Sequence, residues 1–593
     1  MDSYKINGID SWTVGSYVSH RLTEIGVEDY FVVPGDYVLA ILDEMLKNKA
    51  LHMIQCCNEL NAGYAADGYA REKGASAVVV TYAVGGLSLL NSVAGAFAAD
   101  LSMVVISGAP HSDDLRSNRA LHHSIDPPDW SVTRDMFRPI TVDCALINNP
   151  IEAPYLIDRC ISAAMTRKKP VYLEISCNVA TAPVPPPVPT RFTRTPSSHP
   201  LTQLFALEQV VQAFNRSTRP VLIVGRRIKM AKAKRAFVKF AEACGSAVAV
   251  MADAKGLFDE QHPQFIGVCW GPISTNLQVQ QVVESADLMI FVGPDFTDMS
   301  TAGYSMHLPK DRIITIGVER VRVTNGKEYG CVYMSPFLSA LAARVKAKPA
   351  SMALFRCDSC SPQSRIQSQS FPDPSPSNNR PLTIQVFAKQ VQDMLKGDHA
   401  VLVETGDSWF VGERLTLPEG AKFEIQAQYV STGWSVGAVL GYSLALKHAP
   451  FEDQKRVVAL IGDGSFQMTA QEVSTMIRYR ADPIIFLLNN DGYTVISKMH
   501  DGPYTSIQQW NYSALVEALV SEHDSDRDHV LTWRARTEEQ LSVAIAAAAV
   551  HKGLAFIEVI VAKDDCSSDL PNFGKLIATS TMCSTMNVSL PVH

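Results

Sequence analysis

No apolar run in this 593-residue sequence is long enough to cross a bilayer, because glycines and polar residues break the most hydrophobic stretches at strand length. An excess of one charge is also missing. With 53 basic and 60 acidic residues the formal net charge is -7, which gives no general attraction to nucleic acid or acidic membranes. The one basic stretch, RRIKMAKAKR (Arg226–Arg235), has helix-like periodicity without interleaved aromatics, and is expected to be a solvated helix face. Cysteine is sparse, twelve residues without regular spacing. Cys56–Cys57 lie in an apolar context, and CDSC at Cys357–Cys360 has no second pair nearby, so reduced thiols are expected rather than disulfides or structural zinc. The first residues are polar and acidic, unlike a secretory signal, so a cytoplasmic location is the expectation.

What is present is a large apolar fraction, 47%, in a chain too long for one core. Short buried-type runs such as AVVVTYA (Ala77–Ala83), SMVVISGAP (Ser102–Pro110) and PVYLEIS (Pro170–Ser176) alternate with helical patterns, as parallel strands and crossover helices do. The fold class expected is α/β, three domains with doubly wound parallel sheets. The first block, 1–182, ends at the proline-rich APVPPPVPTRF (Ala182–Phe192), which continues neither ladder nor helix. A second block spans 200–345. A polar linker, 346–381, separates it from a third block, 382–575, and 576–593 reads as a frayed tail.

Such sheets take ligands at the carboxyl ends of their strands. VVALIGDGSF and PIIFLLNNDGY both read as strands ending in polar residues, and Asn490 lies 27 positions after Asp463, the reach of one strand–helix–strand unit. One carboxylate and one amide oxygen suit a hard cation such as Mg²⁺, which keeps positions open for phosphate oxygens. A Gly492 carbonyl is a third donor. Gly464 and Ser465 sit at the turn, and the start of an expected crossover helix, Thr469–Arg480, faces the anion.

A GDG followed about thirty residues later by NN resembles the motif shared by thiamine-diphosphate (ThDP) enzymes, closest to the pyruvate and indolepyruvate decarboxylases. The resemblance extends through VPGDYVLAILD (Val33–Asp43), CCNELNAGYAADGYAR (Cys56–Arg71), LHHSI (Leu121–Ile125), ETGDSWF (Glu404–Phe410) and MHDGPY (Met499–Tyr504). It implies a pyrimidine-binding first domain, a middle domain and a diphosphate- and Mg²⁺-binding third domain. It also implies active sites between subunits of a homo-oligomer, dimer or tetramer. Glu59 would bond the cofactor pyrimidine, and Asp36, His122 and His123 would manage protons near the substrate. Thr81, Gly406, Asp407 and Ser408 would line the cleft, while Trp409 is either a core aromatic or a substrate contact.

Two departures stand against the resemblance. Ile496 occupies the place of a glutamate that assists decarboxylation and the late protonation, and an alkyl group carries no proton. Thr432 stands where a large aliphatic residue wedges between the thiamine rings, and Val430 replaces a glycine. The expected activity is therefore non-oxidative decarboxylation of a 2-oxo acid to an aldehyde and CO₂. The alternative is carboligation onto an acceptor aldehyde or second oxo acid to give an acyloin. A non-enzymatic regulator on the same fold is disfavoured by Glu59, Asp463 and Asn490 together, which scaffolding does not need.

Overall fold

The computed structural model describes residues 12–582 apart from 118, 126–128, 193–196, 325, 356–379, 451–453 and 521–526. The first sheet is built from β1 (Asp29–Val33), β2 (His52–Gln55), β3 (Ser76–Val80), β4 (Met103–Ala109), β5 (Cys144–Ile147) and β6 (Val171–Ser176). Their order is β2-β1-β3-β4-β6-β5, and every pairing is parallel. The third sheet repeats this wiring. It joins β14 (His399–Val403), β15 (Lys422–Ile425), β16 (Arg456–Gly462), β17 (Ile484–Asn489), β18 (Val530–Ala535) and β19 (Leu554–Ile560), in the order β15-β14-β16-β17-β19-β18. Every residue of β3, β4, β14 and β17 is buried, as strands covered on both faces require.

Between them lies a seven-stranded sheet. β7 (Pro220–Val224), β8 (Ala247–Met251), β9 (Phe265–Cys269), β10 (Leu288–Val292) and β11 (Ile313–Ile316) are parallel, while β12 (Arg320–Arg322) and β13 (Glu328–Gly330) add an antiparallel edge. The two outer units meet through the Glu59–Lys73 and Trp434–Lys447 helices, which lie in one core with both sheets. Their backbones touch. A Cβ added at Gly441 would overlap the Ala65 carbonyl, and one at Gly68 would overlap the Ala438 carbonyl.

Several expectations change at the boundaries. Ala350–Phe355 is helical, with Met352 and Phe355 buried in the middle core, so the linker expected at 346–381 contains an element of the domain before it. Residues 356–379, including Cys357 and Cys360, lie outside the described set. The tail expected from 576 begins inside a helix, Asp569–Met582, whose Leu570, Phe573 and Ile577 are buried. The solvated face expected at Arg226–Arg235 holds for Lys229, Lys232, Lys234 and Arg235, which are exposed, but not for the two arginines that open it. Arg226 bonds Asp295 (2.5 Å) and the Ala98 carbonyl (2.8 Å), and Arg227 pairs with Asp100 (3.4 Å), tying the middle unit to the first. The described cysteines are free thiols, as expected.

Candidate active site

β1 ends at Val33, and Pro34–Gly35 turns the chain so that Asp36 opens a short 3₁₀ turn, Asp36–Val38. Gly35 is required by close approach: a Cβ there would lie 2.5 Å from the Thr81 Cβ just past β3. The Thr81 hydroxyl is buried and has no hydrogen-bond partner in the protein. His122 and His123 come from the loop after β4. The His122 Nε2 lies 2.5 Å from one Asp36 carboxylate oxygen, the His123 Nε2 lies 3.9 Å from the other, and the Tyr37 ring stacks on His122. Asp36 and His122 are 52% and 60% exposed in the single chain, so their polar atoms face open space and can exchange protons with a bound molecule.

Glu59 is the first residue of its helix, where the Asn58 side chain accepts from the Asn61 N–H (2.9 Å) and a carboxylate is favoured by the helix dipole. The missing side chain of Gly85 leaves room beside it: a Cβ there would lie 3.3 Å from both the Glu59 Oε1 and the Thr81 Cγ2. Glu59, Thr81, Asp36 and the histidine pair therefore gather at the carboxyl end of the first sheet.

A second group forms at the corresponding end of the third sheet. The crossover expected as one helix, Thr469–Arg480, is broken, and it starts earlier. A helix runs Asp463–Thr469, a 3₁₀ turn spans Ala470–Glu472, and a second helix runs Val473–Arg478. Asp463 is thus itself the first helical residue, with Gly464 and Ser465 in the same turn, where N–H groups have no intrahelical partner. The Asp463 carboxylate is buried and accepts from the N–H groups of Gly464 (2.8 Å) and Gly492 (3.2 Å). Burial raises its pKa to about 6, so a cation beside it would offset a real desolvation penalty. The two asparagines after β17 diverge. Asn489 donates to Glu558 (2.9 Å), while Asn490 donates to the Thr494 hydroxyl (2.6 Å), which leaves the Asn490 amide oxygen available. Gly492 has φ of +139°, and a Cβ there would overlap the Thr505 carbonyl, so no other residue fits. Asn490, Gly492, Thr494, Lys498 and Lys563 line a cleft of about 120 Å³.

Comparison with known proteins places the whole chain in a family. Residues 12–129, 207–333 and 404–559 match the N-terminal TPP binding, central and C-terminal TPP binding domains of thiamine pyrophosphate enzymes. The chain is 44% identical over 577 residues to pyruvate decarboxylase 1 of Oryza sativa subsp. indica, covering 96% of this chain and 92% of that one. It is 44% identical over 574 residues to pyruvate decarboxylase 1 of Pisum sativum (96% and 93%), and 45% over 577 to pyruvate decarboxylase 2 of Arabidopsis thaliana (96% and 91%). The chain belongs to the thiamine pyrophosphate enzyme family.

The residues of this thiamine pyrophosphate enzyme fit the cofactor: the orphaned Thr81 hydroxyl, the space beside Glu59, and the oxygen donors of Asp463 and Asn490. Among the described residues no hydrogen bond joins the first group to the second. The loop before the Trp434–Lys447 helix packs on the Asp463 helix, with the Thr469 hydroxyl donating to the Gly433 carbonyl (2.7 Å). Val430 has φ of +53°, so the glycine-type backbone survives without the glycine. Thr432 is half-buried in the same loop. Ile496 lies on the Thr494–Met499 helix and is 43% exposed in the single chain.

Of the other expected residues, Asp407 and Trp409 are engaged inside the fold. Gly406 makes the turn into the Asp407–Arg414 helix, and Ser408 is buried within it. Both Asp407 oxygens accept from Ser567, whose hydroxyl and N–H hold the loop after β19, and burial raises the Asp407 pKa to about 6. Trp409 resolves as a core aromatic, packed on Trp270 and Phe573. Sequence reasoning missed Gly35, Gly85, Tyr37 and Thr494. Only Thr494 carried a signal, its i+4 spacing from Asn490.

Proposed function

We propose that the chain decarboxylates a 2-oxo acid without oxidation, releasing an aldehyde and CO₂, with ThDP and Mg²⁺. The observation that carries this reading is the Asp36–His122–His123 cluster beside Glu59 and Thr81, on a sheet wired like the one holding Asp463 and Asn490. Asp463, the Asn490 amide oxygen and the Gly492 carbonyl would hold Mg²⁺. The first-turn N–H of Ser465, beside Gly464, would receive the diphosphate, and Glu59 the pyrimidine. When bound, the thiazolium supplies the electron sink that no side chain offers when CO₂ leaves. In this reading residues 12–182 form the pyrimidine-binding domain, and residues 382–575 the diphosphate- and Mg²⁺-binding domain.

The chain's own residues supply binding and proton transfer. Asp36 fixes the His122 ring by holding one imidazole nitrogen through the 2.5 Å contact. The pair can then relay a proton toward the product carbon. The Val430 carbonyl and Thr432 would support the bent cofactor, and Gly406 and Ser408 would border the cleft. Sites completed by a second copy of the chain belong to this proposal. A cytoplasmic homotetramer is part of the same proposal.

Carboligation is the second reading. The helix TVISKM (Thr494–Met499) carries no carboxylate, which leaves late protonation to Asp36 and the imidazoles and gives an acceptor aldehyde time to react. Incubation with Mg²⁺, ThDP and a panel of 2-oxo acids, with and without acceptor aldehydes, tests both readings when CO₂, aldehyde and acyloin are measured together. CO₂ release matched by the summed carbon products is expected. ThDP-loaded protein that releases no CO₂ from any oxo acid would overturn the proposal.

A further inference from the structure

At the opposite edge of the first sheet, at the amino ends of the strands, three metal-binding side chains converge from both outer domains. Asp29 opens β1 and His52 opens β2, and the parallel register sets them side by side. His448 arrives as the C-cap residue of the Trp434–Lys447 helix. The Asp29 carboxylate is 4% exposed, and each of its oxygens faces an imidazole. One lies 2.8 Å from the His448 Nε2 and the other 3.4 Å from the His52 Nδ1. The three ligand atoms all lie within 4.8 Å of one another, and the two imidazole planes are within 4° of parallel.

We propose that Asp29, His52 and His448 form a site for a Zn²⁺-class transition-metal ion, separate from the cofactor's cation and joining the first domain to the third. Two imidazoles and one carboxylate are a donor set that a borderline metal accepts and Mg²⁺ does not favour. A tetrahedral zinc centre places its ligand atoms about 3.3 Å apart, from bonds of about 2.0–2.1 Å. Rotation of the mostly exposed His52 ring closes the remaining gap, and solvent supplies the fourth position.

A second observation points the same way. The other nitrogen of His448, Nδ1, lies 3.3 Å from the Glu28 carboxylate, which is held by Lys73 (2.7 Å). A carboxylate behind a histidine sets the tautomer and leaves the facing nitrogen free to ligate, the usual support of a metal-bound imidazole. The site also sits at a helix C-terminus, where exposed carbonyls favour a cation.

The test uses the Mg²⁺- and ThDP-loaded protein, equilibrated with Zn²⁺ by dialysis, and counts bound zinc per chain. Wild type is compared with H52A, E28Q and H122A, the last removing the other histidine-containing cluster. H52A changes an exposed side chain at the sheet edge away from Asp36, so decarboxylation without zinc should be retained. H52A should bind one Zn²⁺ per chain fewer than wild type, and E28Q should bind that ion roughly 10–100-fold more weakly. Equal zinc content in wild type and H52A, with any loss confined to H122A, would overturn the proposal.

Discussion

Replacing Val430 by glycine and by alanine separates two contributions that normally oppose each other. At ordinary helical or extended positions alanine is more stable than glycine by roughly 0.5–1 kcal/mol, because glycine loses more freedom on folding. Val430 has φ of +53°, where a Cβ costs about 1–2 kcal/mol and glycine pays nothing. Both variants remove the isopropyl group, so packing cancels to first order when they are compared with each other. The balance leaves Val430→Gly above Val430→Ala by about 0.5–1 kcal/mol, the reverse of the usual order. For a domain of this size that is a difference of roughly 1–4 °C in unfolding midpoint. Calorimetry of cofactor-free protein at a single scan rate measures it. If alanine were the more stable by its usual margin, the left-handed backbone at 430 would be wrong. Titration with ThDP adds a second readout: tighter binding in both variants assigns the effect to side-chain crowding, whereas tightening in the glycine variant alone assigns it to the backbone.

Asp463→Ala should abolish Mg²⁺-dependent ThDP binding in a fluorescence titration, and tight Mg²⁺-independent binding by wild type would remove the metal assignment. Ile496 is 43% exposed in the single chain, so a carboxylate there can be hydrated. Ile496→Glu should lower the acyloin-to-aldehyde ratio on the order of tenfold at saturating oxo acid and fixed acceptor, a fraction of what a positioned general acid contributes; an unchanged ratio in folded, ThDP-loaded protein would show that Ile496 does not control product partition. Burial raises the Glu413 pKa from an ordinary 4.5 to about 8. The folded chain therefore holds this proton more tightly than the unfolded chain, and the contribution to stability falls as pH rises between those values. Glu413→Gln should flatten the decline of the unfolding midpoint between about pH 5 and 8 and leave the variant with the higher midpoint at pH 8.5; a slope as steep as wild type would show that Glu413 is not the group responsible.

The strand ends were legible because apolar runs stop abruptly at polar residues: Val33 before Asp36, Val80 before Thr81, Ile461 before Asp463, Leu488 before the asparagines. Each run is a buried strand, and its end is a sheet edge. What stayed hidden depends on partners distant in the chain or on backbone geometry. Arg226 and Arg227 read as a solvated face because Asp100, which neutralises Arg227, lies in another domain. The break at Ala470–Glu472 leaves no proline or glycine in TAQEVSTMIRYR to announce it. Met352 and Phe355 are too few to show a period, so a short docked helix passed for linker. Valine at 430 conceals a left-handed residue, since that conformation is usually signalled by glycine.

Glu59 heads one of the two helices pressed together at Gly68 and Gly441, and Thr432 and Gly433 lead into the other. Contacts advance together along the two, Gly437 against Asn61 and Gly441 against Ala65, so both run the same way and start at the same end. Under the proposed function the pair is a single axle with a cofactor-binding residue fitted on each shaft. Because no side chain cushions the seam, neither shaft can turn or slide without the other, and one added methyl group would force them apart. If a second copy completes each site, the two fittings serve different sites, and a displacement at one reaches the other without any loop having to move. Under the proposed function, Val430 and Ile496 can then vary while the distance between the fittings is fixed by atoms that are not there.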